Sequence, residues 1–355
     1  MSNSILNDKI KKLTPYEPLQ GDFGIRLDAN ESFISLPDSL RAALAKAAEK
    51  VEYNRYPDPL AEDVCKAFAA FFGLDYGLVT AGNGSDELIS IIINCFADRG
   101  DKVICLSPDF SMYRFYSSLA ELKVIELQKG NNLNIAADDI IKTIKAEKPR
   151  IVIFSNPCNP TGQGFSREDI LKILAECNCL FVLDEAYMDF WNETVLDKVT
   201  EYKNLIVLKT CSKAFGLAAL RLGFAVCDKE LSLALKTVKS PFNVNSLTQE
   251  FGRIVLSDKK YLSECIENIK RSRDFLYENL KGLEKEFKDR IAVLPTCTNF
   301  VLIKTSAAVR IFEELLLQGI AVRCFNGFLR VTAGSEKEND GFLKAFDGIL
   351  RKLGE

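Results

Sequence analysis

Short apolar runs and longer helix-periodic stretches alternate along most of this chain. Lys102–Ser107, Arg150–Ser155, Cys179–Leu183 and Leu205–Leu208 are almost continuously apolar. Strands buried on both faces of a parallel sheet carry that pattern. Leu78–Gly84 reads as a shorter strand running into glycines. A helix then starts at Ser85, placed to cap it, with Asp86 and Glu87 in its first turn. The spacing predicts further helices over about 38–51, 60–72 and 166–176, the first capped by Asp38 after Pro37. Past about residue 245 the pattern changes. A helical run over 246–288 is broken near Ser257 and Asp258, and strands follow over Ile291–Pro295 and Asn299–Lys304. A helix over 306–318 ends at Gly319, then come Ile320–Phe325, Phe328–Gly334 and a closing helix. The pattern predicts an α/β fold with three parts. Residues 1–40 form an arm, 41–245 a large domain with a mostly parallel sheet flanked by helices, and 246–355 a smaller α+β domain.

Composition narrows the chemistry. A chain of 355 residues is long enough to bury roughly three quarters of its unfolded surface. Acidic and basic residues nearly balance, 49 against 46, with no long run of one sign, which argues against nucleic-acid or membrane partners. The polar start MSNSILNDKIKKL lacks a signal-peptide core, and no apolar run is long enough to span a bilayer, so a cytoplasmic protein is expected. Eleven cysteines without a CxxC pair suit reduced, buried thiols. The chain has no histidine. That excludes Ser-His-Asp and Cys-His nucleophiles and histidine-ligated zinc, and no metal is expected. Proton transfer near neutral pH then falls to lysine, a carboxylate, tyrosine, cysteine or a cofactor.

Three residues stand just past apolar strands. Lys213 follows Leu205–Leu208 and the turn Thr210-Cys211-Ser212. A lysine there is a candidate for forming an imine with an aldehyde, provided burial or a nearby cation keeps its amine neutral. Arg221, eight residues on, supplies such a cation, or holds an anion with the hydroxyls of Thr210 and Ser212. Read from Ser212-Lys213 alone, a surface turn with an ordinary solvated lysine is the better fit. Asp184 follows Cys179–Leu183, and a carboxylate that deep needs a partner. Asn159 lies in the rigid turn Asn156-Pro157-Cys158-Asn159-Pro160-Thr161-Gly162. Parallel strands joined through helical segments bring all three to one sheet edge, where such folds bind ligands. Gly82 and Gly84 let backbone approach an anion at the next helix's N-terminus. The spacing there is neither GxGxxG nor a Walker motif.

Taken together, the strings SKAFGL-x-x-LR-x-G (212–223), NP-x-NPTG (156–162), DEAY (184–187), NRYP (54–57) and LRVTAG (329–334) resemble the class I/II, fold type I aminotransferases that use pyridoxal 5′-phosphate. The resemblance covers essentially the whole chain. It implies that Lys213 carries the cofactor, Asp184 faces its pyridine nitrogen, and Asn159 and Tyr187 share its phenolic oxygen. Lys213, Asp184 and Tyr187 are then the catalytic set. It implies a phosphate cradle of Gly84, Ser85, Thr210, Ser212 and Arg221, and ring stacking by Phe110. Tyr56 would reach the phosphate of a neighbouring subunit, making a homodimer. Arg330 would grip a substrate α-carboxylate. Among the family's branches, the one acting on histidinol phosphate, with 2-oxoglutarate as acceptor and glutamate as product, is most similar. There Tyr16 and Arg323 would hold the substrate phosphate. Departures touch the substrate side. Asn30-Glu31-Ser32-Phe33 stands where the family has NENP, Phe110 where many members have tyrosine, and the loop from Arg323 to Arg330 is short. A threonine-phosphate decarboxylase, a broader aromatic or aliphatic aminotransferase, and a non-catalytic cofactor-binding protein remain open alternatives.

Overall fold

The computed structural model describes residues 7–11, 13 and 19–353, so Tyr16 and most of the segment 13–18 lie outside the described residues. The elements run α1 (Asp8–Lys11), β1 (Ile25–Arg26), α2 (Asp38–Lys50), α3 (Glu62–Phe72), β2 (Val79–Gly82), α4 (Ser85–Phe96), β3 (Lys102–Ser107), α5 (Met112–Leu119) and β4 (Lys123–Gln128). They continue with α6 (Ala137–Glu147), β5 (Ile151–Ser155), α7 (Arg167–Ala175), β6 (Leu180–Asp184), β7 (Leu205–Thr210), β8 (Gly223–Cys227), α8 (Lys229–Val238) and α9 (Ser246–Ser257). The last third holds α10 (Lys259–Glu286), β9 (Ala292–Val293), β10 (Phe300–Lys304), α11 (Ala308–Leu317), β11 (Ile320–Ala321), β12 (Arg323–Phe325), β13 (Phe328–Thr332) and α12 (Glu336–Lys352).

A seven-stranded sheet in the order β2-β8-β7-β6-β5-β3-β4 forms the large unit. Neighbours from β7 to β4 pair in parallel, and β8 runs antiparallel to both β7 and β2. The mostly parallel sheet expected from the apolar runs is therefore present. Every residue of β5 and β7 is buried, because helices cover both faces. Strand alternation divides the core. Val152, Phe154, Phe181, Leu183 and Val207 pack on one face with Phe68, Ile140, Ile170 and Val255 from α3, α6, α7 and α9. Ile151, Ile153, Val182, Ile206 and Leu208 pack on the other with Leu88, Ile92, Tyr113 and Leu235 from α4, α5 and α8.

The small unit is an antiparallel sheet, β12-β13-β10-β9, covered by α11, α12 and the far half of α10. The arm joins it: β1 pairs in parallel with β11, and Leu27 is buried in its core. The large unit's core runs past residue 245 through Val255, Leu256, Leu262 and Ile269. The expected break near Ser257-Asp258 is real. Asp258 separates α9 from α10 and caps α10 by accepting the Tyr261 N–H at 3.0 Å.

Several local expectations are corrected. Pro37 and Gly84 occupy the N-cap positions, so Asp38 and Ser85 are first helical residues and not caps. Asp184 is the last residue of β6 itself, one step earlier than expected. Only two 3₁₀ turns, Met188–Phe190 and Leu196–Lys198, connect β6 to β7, where a helical segment was expected. The elements α5, β4 and α6 have no counterpart among the sequence-based expectations. β4 lies at the sheet edge and is only partly buried, which weakens its apolar signature.

Candidate active site

The carboxyl ends of β5, β6 and β7 lie side by side, with Asp184 opposite Ser155 on one neighbour and Leu208 on the other. Asn159, Asp184 and Lys213 therefore share one edge. Asp184 is 4% exposed. Its Oδ2 accepts the Tyr113 hydroxyl at 2.7 Å and its Oδ1 accepts the Ala186 N–H at 3.0 Å. Burial pushes its carboxyl up to about 7, although both hydrogen bonds favour the ionised form. Among the described residues no cation pairs with it.

Lys213 is half-buried, and its Nζ donates to the carbonyl of Ala29 at 2.9 Å. Burial first, then the charges of Arg330 and Arg221, bring its ammonium down to about 8. The buried Tyr187 hydroxyl accepts from Asn30 Nδ2 at 2.8 Å, its ring meets Phe300 edge-on at 5.4 Å, and burial raises its phenol to about 12. Arg330 donates through Nη1 to Asn159 Oδ1 and through Nη2 to the Asp28 carbonyl at 2.6 Å. Its guanidinium also lies over the rings of Phe300 and Phe325.

The cradle forms where β2 meets α4. Gly84 has φ +83°, and a Cβ there would lie 2.8 Å from Arg221 Nη2. Gly223 on β8 has no side chain because a Cβ would fall 2.4 Å from the Ser85 nitrogen. Both glycines let the first turn of α4 press against the Lys213 loop. Arg221, itself in the left-handed region at φ 50°, donates to Ser212 Oγ at 3.3 Å and lies 3.6 Å from Asp86. Thr210 Oγ1 accepts the Ser212 N–H at 3.2 Å. Gly84, Ser85, Thr210, Ser212 and Arg221 are thus brought together. Phe110 meets Tyr113 edge-on at 5.5 Å.

Other expected residues stand apart. Tyr56 is 81% exposed and stacks on Phe242 at 4.6 Å. Arg323 sits directly across from Arg330 in the β12–β13 pairing. Tyr113 and Asn30 were missed as site residues. Asn30, at φ 53°, is held by the small unit: its N–H donates to Thr332 Oγ1 at 3.0 Å, and Asn299 donates to its carbonyl at 3.1 Å. Its place in Asn30-Glu31, the two residues this segment shares with the family's NENP, was the available signal. No metal-binding cluster occurs among the described residues, and no helix among them is long and apolar enough to cross a membrane.

This fold is shared with solved aminotransferases. The chain belongs to the class I and II aminotransferase family, whose model, Aminotransferase class I and II, matches residues 24–346. It is 41% identical over 356 residues to a histidinol-phosphate aminotransferase of Clostridium kluyveri, covering 99% of this chain and all of that protein. A histidinol-phosphate aminotransferase of Clostridium novyi is also 41% identical, covering 98% of each. A solved histidinol-phosphate aminotransferase from Sinorhizobium meliloti, in complex with pyridoxal-5′-phosphate, superposes with a TM-score of 0.87. At 23% identity over 99% of this chain and 98% of that one, it shows the shared fold.

Proposed function

We propose that this chain catalyses the pyridoxal-phosphate-dependent transamination of histidinol phosphate with 2-oxoglutarate, the aminotransferase step of histidine biosynthesis. Relatives that are 41% identical over 98% or more of their length are named histidinol-phosphate aminotransferase. One observation carries the residue roles: a buried carboxylate, a lysine with a lowered pKa and an anion cradle meet at one sheet edge.

The residues fit the cofactor. Arg221, the Ser212 and Thr210 hydroxyls and the N-terminus of α4 are the donor set that a phosphate requires. Asp184 bonds only neutral donors, which leaves its charge to meet a protonated ring nitrogen. Phe110 supplies a stacking face, and Asn159 and Tyr187 supply polar atoms for the ring's oxygen. When bound, pyridoxal phosphate supplies the aldehyde that accepts the amino group and the ring that absorbs the electron pair released at the substrate's α-carbon.

The chain's own residues do the rest. Lys213 holds the cofactor, then uses its neutral amine to take the proton from the substrate α-carbon and return it after electron redistribution. Asp184 keeps the ring nitrogen protonated. Arg330, flanked by aromatic faces, binds the α-carboxylate of 2-oxoglutarate and glutamate. Arg323, opposite it, faces the phosphate of the amine substrate, with Tyr16 as its expected companion. Tyr56 completes the cradle of a partner subunit in a homodimer, which agrees with its exposure. We place the enzyme in the cytoplasm.

The test is the visible spectrum of cofactor-loaded protein before and after histidinol phosphate is added without a keto acid. Loss of the aldehyde-form band and growth of the amine-form band is expected for the wild type and not for Lys213→Ala. An unchanged wild-type spectrum would remove the substrate assignment. Carbon dioxide release from threonine phosphate would make the enzyme a decarboxylase instead.

A further inference from the structure

We propose that Tyr113 is a positioning residue that holds Asp184 ionised and oriented toward the cofactor's ring nitrogen. The inference rests on the reading of Asp184 given above and names the group through which that carboxylate works.

Tyr113 is the second residue of α5 and is 1% exposed. Its hydroxyl donates to Asp184 Oδ2 at 2.7 Å, the length of a charge-assisted O–H···O bond. The other oxygen is engaged by the Ala186 N–H. The carboxylate is thereby fixed at both oxygens by neutral donors while its charge stays uncompensated. The charged groups that bear on it most, Asp109 and Asp86, are carboxylates and push a proton onto it. Burial does the same. The Tyr113 hydrogen bond is the largest influence opposing them. The phenol itself is pushed well above its ordinary range by burial and by Asp184, so it remains a proton donor wherever the protein is folded. A chain without histidine has a phenol as its strong neutral donor here.

The surroundings leave Tyr113 little freedom. Asp109, just before α5, accepts from the Phe110 N–H at 2.7 Å and from the Ser155 hydroxyl and N–H at the end of β5. The start of α5 is thus tied to the strand beside Asp184. The Tyr113 ring meets Phe110 edge-on at 5.5 Å and 80°. One side chain therefore touches both the carboxylate for the ring nitrogen and the aromatic face for the ring.

The experiment compares wild type, Tyr113→Phe and the full chain carrying a fluorinated tyrosine at position 113. Phenylalanine keeps the ring and its Phe110 contact and removes only the donor. Fluorination strengthens the donor without changing the fold. In cofactor-free protein, the Asp184 carboxyl is titrated by carbon-13 NMR, its resonance assigned with Asp184→Asn. Its midpoint should rise by about one to two pH units in Tyr113→Phe and fall with the fluorotyrosine. In loaded protein, nitrogen-15 NMR of ring-labelled pyridoxal phosphate should show a protonated ring nitrogen in wild type and a shift toward the unprotonated form in Tyr113→Phe. The kcat should drop on the order of 10- to 100-fold, with a much smaller change in KM. An unmoved Asp184 midpoint in both variants overturns the proposal. If wild type takes up no cofactor, the functional reading fails, and the carboxyl titration still decides the role of Tyr113.

Discussion

Two ionisable groups at the sheet edge are shifted toward each other from opposite ends of the pH scale. Burial lowers Lys213 to about 8 and raises Asp184 to about 7. The Lys213 amine is the reactive form, so cofactor-free protein should react with a small aldehyde at a rate that climbs through neutral pH and levels off above about 8. A midpoint near 10.5, the value of an ordinary lysine, would contradict this. Asp184 bears on stability. Its folded midpoint of about 7 exceeds the ordinary 3.8, so across that window the folded chain binds a proton that the unfolded chain has released. Stability from this group is therefore intact below the window and falls as pH rises through it. Asp184→Asn should stabilise cofactor-free protein at pH 8 by at most about 4 kcal/mol, read as a higher melting temperature. It should change little at pH 4 and should remove turnover. Equal stability at both pH values would refute the account.

At the scale of elements, the strands do more than carry the site. β7 ends in Lys209 and Thr210 with opposite tasks. Thr210 joins the cradle, whereas Lys209 is buried on the far side, 2.7 Å from Asp189 and 4.0 Å from Glu185, with its ammonium over the Phe72 ring. Glu185 is itself held by Thr194 and the Val195 N–H. This ionic cluster pins the β6–β7 connection, which has only two short 3₁₀ turns to hold Asp184 and Lys213 in register. Lys209→Ala would strand two buried carboxylates and should cost about 3–5 kcal/mol. A urea titration reads it as a lower midpoint, and adding Asp189→Asn should restore part of the loss. A midpoint like that of wild type would show that the cluster contributes nothing net.

At the scale of the whole molecule, the site exists because two units and the arm converge. Arg330 reaches from β13 to Asn159 after β5, 171 residues away in sequence. Asn30 from the arm is gripped by Thr332 and Asn299 of the small unit and hands a hydrogen bond to Tyr187 of the large one. Among the described residues Tyr56 is seen stacking on Phe242 and is 81% exposed, which motivates the dimer. Sedimentation should give about twice the chain mass of 39.7 kDa. Mixing Tyr56→Ala chains with Lys213→Ala chains should regain activity, because one site of each mixed dimer then has both residues intact. No recovery would place Tyr56 outside the partner's site.

The amino-acid sequence by itself determined the buried strands of the large sheet, though not its edge strand β4, several of the flanking helices, and the edge on which Asn159, Asp184 and Lys213 gather. Continuous apolar runs, glycines and turn residues act locally, and parallel connections leave few topologies. The motif strings added the cradle. What only the tertiary structure decided were the contacts of Tyr113 with Asp184 and of Asn30 with Tyr187, across 71 and 157 residues. It also decided the embrace of Asn159 by Arg330 and the capping of α4 by Gly84 in place of Ser85. A buried tyrosine or asparagine looks alike in sequence whether it packs or positions. Its partner is chosen by long-range packing, which no local pattern encodes.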